Sequence, residues 1–272
     1  VMPYKTTDEA VELARLGKGS LVGSIVTGSS KVAKDIVLGC APYHGRFLIL
    51  DKTCAKDSTG HGSPMPGLVH GGPGRAGGGE EMGGIRGVKH YMQRTALQGS
   101  PTVLGNIANT WLKGGERKES ETHLFRKHFD ELNIGDVLIT KKRKITVKDI
   151  DSFADLSGDH FYAHKEEALS SQSIFGQRVA HGYFIVSAAA GLFVDPDVGP
   201  VLANYGLENL RFTQPVFVDD EIYVALTCKQ KTAKEPREGE PLNGVVEWDV
   251  EVKNQRDELV ATYSILTLVK RT

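Results

Sequence analysis

Between residues 243 and 254 apolar and charged positions alternate, with Val246, Trp248, Val250 and Val252 set against Glu247, Asp249 and Glu251. A period of two puts the first four on one face of a strand and the other three on the opposite face, so the segment reads as a half-buried β-strand. The stretches "EIYVALTCKQK" and "LVATYSILTLVKR" on either side read as strands too, and "FVDD" and "NQRDE" are short enough for antiparallel hairpins or tight meanders. Upstream, "TVKDIDSFADLSG" places Val147, Ile150, Phe153, Ala154 and Leu156 on one helical face, with Thr146 as an N-cap. "HGYFIVSAAAGLFVD" is apolar almost all round, which calls for burial on every side, and it is too short to span a bilayer. A buried helix followed by long antiparallel strands implies a sheet wrapped around that helix, an α+β arrangement.

The first half has a different pattern. "TTDEAVELARLG" repeats Ala10, Leu13, Ala14 and Leu16 at helical spacing, capped at Thr7 and stopped by Gly17. "SLVGSIVTG" and "RFLILD" read as buried strands, with "SKVAKDIVLG" between them as a helix capped by Ser29 or Ser30. This alternation is of the α/β kind. From Thr59 to Gly87 glycine and proline are too frequent for regular structure, so a long loop is expected there. The polar, glycine-containing stretch 112–123 reads as a linker, with residues 1–111 before it and a second domain, 124–272, after it.

Composition narrows the function classes. Lysine plus arginine (33) nearly matches aspartate plus glutamate (34), so no overall field points to nucleic acid or a membrane surface as partner. Cys40, Cys54 and Cys228 are odd in number, far apart and without a CxxC pair, which fits reduced thiols in the cytoplasm and no zinc site. The chain opens on Val1-Met2 and runs straight into a helical pattern, as a piece of something longer would.

Most candidate chemistry has an ordinary reading. "GPGRAG" at 72–77 matches a dinucleotide fingerprint in form, but more glycines follow where a helix should begin. Cys54 lacks an activating base beside it in sequence. His44, His61, His70 and His90 show no metal-ligand spacing and read as hydrogen-bonding loop residues. "SGDHFYAHKE" is different. Asp159 and His164 follow the helix from Val147 and precede "VAHGYF", whose His-Gly pair opens the buried helix. A helix N-terminus offers unpaired N–H groups and a positive dipole end, and Gly182 would let a ligand approach. An acid, a base and an oxyanion hole suit formation of an enolate. The plain alternative is that Asp159 caps a turn and His164 is a satisfied surface histidine.

At these residues the chain resembles the MaoC-like, or R-specific, enoyl-CoA hydratases of the hot dog fold. "SGDHFYAH" is similar to that family's S-G-D-x-N-P-x-H motif, and "RVAHGYFIVSAAAGLF" to its central helix, over about residues 124–272. The resemblance implies Asp159, His164 and Gly182 as catalytic groups. Phe161 and Tyr162 replace the usual Asn-Pro and would touch the acyl chain, while Arg211, Lys270 and Arg271 would meet the CoA phosphates at the tunnel mouth. It also implies an acyl-CoA substrate, a homo-oligomer, and no cofactor or metal for the hydratase. "MPYKTTDEAVELARLGKGSLVGSIVTG" resembles the C-terminal part of an aldehyde dehydrogenase. With "GGPGRAGGGEEMGG" and "GVKHYMQRTALQG", the whole chain is similar to the bifunctional phenylacetate-degradation family, in which such a dehydrogenase is fused to an oxepin-CoA hydrolase. The nucleophile, catalytic glutamate and NADP or NAD site of a complete dehydrogenase would lie upstream of Val1, and Cys54 does not take the nucleophile's place. A general hydratase of linear acyl-CoA and a non-catalytic acyl-CoA-binding module are the other readings.

Overall fold

Thr6, rather than Thr7, accepts the Glu9 N–H and starts α1 (Thr7–Arg15). In the same way the Ser29 hydroxyl caps α2 (Ser30–Cys40), and Ser100 caps α3 (Pro101–Ala108), where a proline in the first turn needs no donor. The structure is a computed structural model and describes residues 1–60, 70, 72, 75, 76, 92, 95–236, 239 and 241–272, with only the backbone of 167 and 168. Most of the expected loop 59–87, with His61 and much of "GPGRAG", lies outside the described residues, as does His90. The chain divides into two units, Val1–Glu116 and Arg117–Thr272.

In the first unit β1 (Ser20–Val26), β2 (His44–Leu50) and β3 (Ala96–Gln98) form a parallel sheet in that order. Ile25, Phe47 and Ile49 of the sheet share a core with Ala33, Val37 and Cys40 of α2 and Val103 of α3. Parallel strands with helices packed on them are what the alternating pattern implies.

The second unit contains β4 (Lys118–Glu119), β5 (Asp136–Ile139), β6 (Arg143–Lys144), β7 (Val201–Phe212), β8 (Glu221–Ala233), β9 (Asn243–Asn254) and β10 (Leu259–Lys270). Its helices are α4 (Val147–Ser157), α5 (Glu167–Ser170) and α6 (Gly182–Phe193). The sheet runs β4-β5-β8-β9-β10-β7, with β6 paired to β8. Apart from the parallel β4–β5 pair it is antiparallel. The segment expected as a linker therefore contains both the division and β4, which the sheet has taken up. Arg117 beside it bonds Glu251 of β9 at 3.0 Å.

The strand β9 behaves as its alternation requires: Val246, Trp248, Val250 and Val252 are fully buried. They pack with Phe184, Ile185, Ala188 and Ala189 of α6 in one core, the arrangement of a hot dog fold. Two expectations need correction. The "FVDD" connection does not make a hairpin, because β7 leaves the region of β8 and pairs with β10 on the far side of the sheet. Nor is α6 buried on every side: Tyr183 (69% exposed), Ser187 and Gly191 form an open stripe at four-residue spacing. A single sheet covers only one side of a helix, so an apolar helix keeps an uncovered face within this unit.

Candidate functional site

The helix α4 brings the chain to the site and stops it there. Thr146 and Asp149 close a reciprocal capping box at its start, and Gly158 ends it with φ 76°, a left-handed conformation that glycine adopts without strain. The next residue is Asp159, whose N–H donates to Ser157 Oγ (3.2 Å) and whose Oδ1 accepts the Phe161 N–H (3.2 Å). Asp159 thus does hold a turn, in keeping with the plain alternative. That turn also delivers its carboxylate to two histidines: donor atoms of Asp159, His164 and His181 all lie within 4.8 Å of one another.

The two rings are stacked, with centroids 3.8 Å apart and planes 29° from parallel. His164 Nδ1 lies 2.7 Å from the Val179 carbonyl, which can only accept, so this nitrogen carries a proton and Nε2 is the bare nitrogen of the neutral ring. His181 Nε2 donates to the Asp159 carbonyl at 2.9 Å by the same reasoning, leaving Nδ1 buried without a partner among the described residues. His181 is 2% exposed, and burial holds its pKa below the usual imidazole value, with His164 and Arg178 acting in the same direction. Stacked rings aim their lone pairs along nearly parallel planes instead of at one point, so the group suits proton handling better than chelation.

Beside His164 opens a largely apolar cleft of about 330 Å³, lined among others by Val179, Gly182, Ile185, Phe212 and Val260. The start of α6 faces it. Unlike α1 to α4, this helix has no capping side chain, so its first N–H groups are not satisfied in that way. The role expected for the missing Cβ at Gly182 needs revision, because a Cβ there would lie 2.6 Å from the Phe212 ring. Glycine makes room for that side chain, and Gly182 still lines the cleft.

The remaining candidates separate. Phe161 and Tyr162 are exposed, and Phe161 rests against the edge of His164 with centroids 5.9 Å apart. Arg211 is next to Phe212 but on the opposite face of β7, exposed, with one guanidinium nitrogen on the Leu210 carbonyl. Lys270 and Arg271 follow at the far end of β10 from Val260, roughly 30 Å along a strand. Arg271 lies over the Phe129 ring and pairs with Asp130 at 3.5 Å. Neither Lys270 nor Arg271 lines the cleft, which β10 borders at its other end, at Val260. In the first unit His44 Nδ1 bonds the Cys40 carbonyl (3.0 Å), His70 accepts the Gly72 N–H (3.2 Å), and Cys54 packs its thiol against the Ile49 carbonyl (3.6 Å), all ordinary structural roles. In the sequence His181 marks only a helix start, and its part in the site is not evident there. The pairing of "SGD" with a downstream His-Gly is the one local signal that points to it.

Comparison with known proteins bears on this geometry. The pattern of the MaoC like domain matches residues 131–249. Protein MaoC of Klebsiella aerogenes is 58% identical over 237 residues, 87% of this chain and 71% of that protein, an alignment longer than the second unit. The 3-hydroxybutyryl-CoA dehydratase of Methylorubrum extorquens is 33% identical over 100 residues, 36% of this chain and 60% of that one. A 3,4-dehydroadipyl-CoA semialdehyde dehydrogenase of Aromatoleum evansii is 42% identical over 73 residues, 27% of this chain and 14% of its own length. Among solved structures, the monoamine oxidase regulatory protein from Archaeoglobus fulgius is 30% identical with a TM-score of 0.50, covering 58% of this chain and 99% of that one.

Proposed function

Since this chain belongs to the family of protein MaoC, we propose that its second unit adds water across the double bond of an unsaturated acyl-CoA, with oxepin-CoA as the substrate. The observation that carries the reading is the meeting of Asp159 with His164, which lines an apolar cleft at the uncapped start of α6. His164 Nε2, left bare by the bond of Nδ1 to Val179, takes a proton from a water held against Asp159. The water oxygen bonds to the β-carbon, the π electrons move to the thioester oxygen, and the Gly182 N–H receives that developing charge. The proton then passes from the dyad to the α-carbon. On oxepin-CoA the product is a hydrated enol ether, which collapses to an open-chain aldehyde.

The wider proposal treats the first unit as the C-terminal part of an aldehyde dehydrogenase that would consume such an aldehyde. The 73-residue similarity to a semialdehyde dehydrogenase supports this. NADP or NAD belongs with a complete dehydrogenase, and the hydratase itself uses no cofactor beyond the CoA of its substrate. We also propose a homodimer. The sheet ends on β7, a 12-residue edge strand exposing Leu202, Tyr205 and Leu207, and α6 keeps its open stripe. Among the described residues no helix is long and apolar enough to cross a membrane, and Cys40, Cys54 and Cys228 are all free, which supports a reducing cytoplasm.

The similarity to a 3-hydroxybutyryl-CoA dehydratase favours a second reading, hydration of linear enoyl-CoA by the same dyad. Turnover of oxepin-CoA and crotonyl-CoA by the purified chain separates the two. Oxepin-CoA is expected to show the higher kcat/KM. The reverse order would select the linear substrate, and turnover of neither would remove the hydratase reading.

A further inference from the structure

His181 occupies the N-cap of α6, a position where Ser, Thr, Asp or Asn would satisfy the first N–H groups of the helix. Its side chain makes no such bond and turns to Asp159 and His164 instead. Nε2 donates to the Asp159 carbonyl at 2.9 Å, and the ring lies on that of His164 with 3.8 Å between centroids, a distance of full van der Waals contact. Phe153 of α4 supports the same ring from 5.1 Å between centroids and is itself packed on Phe184 at 5.6 Å.

Packing alone does not account for a histidine here. A phenylalanine would join Phe153 and Phe184 without stranding a polar atom, whereas His181 Nδ1 is buried with no partner among the described residues. What the imidazole adds is its grip on two functional groups. The bond from Nδ1 to the Val179 carbonyl fixes one point of the His164 ring and leaves the ring free to swing about that bond. A second ring flat against it removes the swing and sets the direction of Nε2. The bond from His181 Nε2 also pins the main chain that carries the Asp159 carboxylate. Burial holds the His181 pKa below its usual value, with His164 and Arg178 acting in the same direction against the bond to Asp159, so the ring stacked on His164 is neutral near pH 7.

Building on the hydratase reading, we infer that His181 is a positioning residue for the reaction: its ring fixes the plane of the His164 imidazole, and its N–H fixes the backbone of Asp159. At 2% exposure it acts through those two residues and not on the acyl group.

Two substitutions divide these contacts. His181→Gln keeps an N–H donor near the place of Nε2 and loses the stacked ring, whereas His181→Phe keeps a ring and loses the donor. On crotonyl-CoA each should lower kcat by about 10- to 10²-fold, the effect of a misplacement approaching 1 Å, and leave KM within about twofold. In a His164→Ala background His181→Gln should cost less than about twofold more, because the ring it positions is gone; a merely structural residue would add its full loss there. Nitrogen NMR of histidine-labelled protein gives a second readout that needs no turnover, with the His164 signals assigned by their loss in His164→Ala. In the parent at neutral pH, His164 should be protonated at Nδ1 alone and His181 at Nε2 alone. In His181→Gln the His164 signals should move towards the average of the two tautomers. Thermal midpoints identify a variant that does not fold, in which case the parent spectrum and the other variant decide. Parent-like kcat in both variants, a loss carried by KM alone, a full additional loss in His164→Ala, or mixed tautomers of His164 in the parent would each overturn the inference. If the parent hydrates neither crotonyl-CoA nor oxepin-CoA, the hydratase reading falls separately, while the spectra still decide whether His181 fixes the His164 ring.

Discussion

The contact between Gly182 and Phe212 allows a test in which stability and activity should part company. In Gly182→Ala the new Cβ would lie 2.6, 2.8 and 2.9 Å from three atoms of the Phe212 ring, where about 3.4 Å is the ordinary limit. The ring must therefore retreat by roughly 0.8 Å, the difference between those distances. It has somewhere to go, because Phe212 is 48% exposed at the end of an edge strand. The folding cost should accordingly sit at the low end of the ~1–3 kcal/mol typical of overpacking. That corresponds to a thermal midpoint lowered by about 2–4 °C in a unit of this size. Activity is more sensitive, because Phe212 and Gly182 both border the cleft where the thioester would lie. A misplacement approaching 1 Å can cost about 10²-fold in rate, so kcat on crotonyl-CoA, followed by loss of enoyl-thioester absorbance, should fall by about that factor. The alanine keeps its N–H, so the loss should come from the displaced ring. Removing the ring in Gly182→Ala with Phe212→Ala should then restore at least about tenfold, a coupling expected only of residues in contact. Parent-like kcat and KM in the single variant would refute the placement of the substrate at this contact. So would a double variant no better than the single.

Asp159→Asn and His164→Ala should each lower kcat by at least ~10²-fold, and the double variant should be little worse than the poorer single, because the proposed reaction has the two groups act on one water; additive losses in the rate assay would count against a shared water. Burial depresses the pKa of His181 in the folded state, so the unfolded chain binds the extra proton first, and stability present above about pH 6.5 should be lost as pH falls through the folded value. Thermal midpoints measured from pH 7.5 downward should therefore drop, and His181→Gln should flatten that slope; identical slopes would show that His181 does not contribute. Thr146→Ala removes the hydroxyl that caps α4 and should cost about 1 kcal/mol in denaturant unfolding, with the effect on kcat/KM confined to any shift of the Asp159 turn. Sedimentation at micromolar concentration should show a dimer, which Leu207→Lys on the exposed edge strand should weaken; a fully active monomer would contradict the proposed association.

Local chemistry makes much of this protein legible from its residues alone. The alternation from Val246 to Val252 requires a strand with one buried face, and all four residues are buried. Thr146 before an apolar helical stripe and Gly158 after it mark both ends of α4 within a residue, because caps and left-handed stops act on their immediate neighbours. The proximity of Asp159 and His164 in "SGDHFYAH" is legible for the same reason, since the two are five residues apart on one turn.

Other features depend on groups that are distant in the chain, and no local period carries that information. Nothing in "VLANYGLENLRF" announces that β7 will cross the sheet to pair with β10, which decides where Phe212 meets Gly182. Lys270 and Arg271 look suited to phosphate because strand ends lie near the mouth in the resembling fold, but the strand's length carries them away from the cleft. Apolarity all round α6 implies complete burial, whereas one sheet can cover only one side of it and leaves Tyr183, Ser187 and Gly191 open. Composition likewise cannot tell an ordinary histidine from one built into a site. His181 becomes distinctive only when folding lays its ring on His164 and its Nε2 on the Asp159 carbonyl. Short-range sterics and periodicity act within a few residues and can be read from the sequence, whereas burial and hydrogen-bond satisfaction are properties of the assembled tertiary structure.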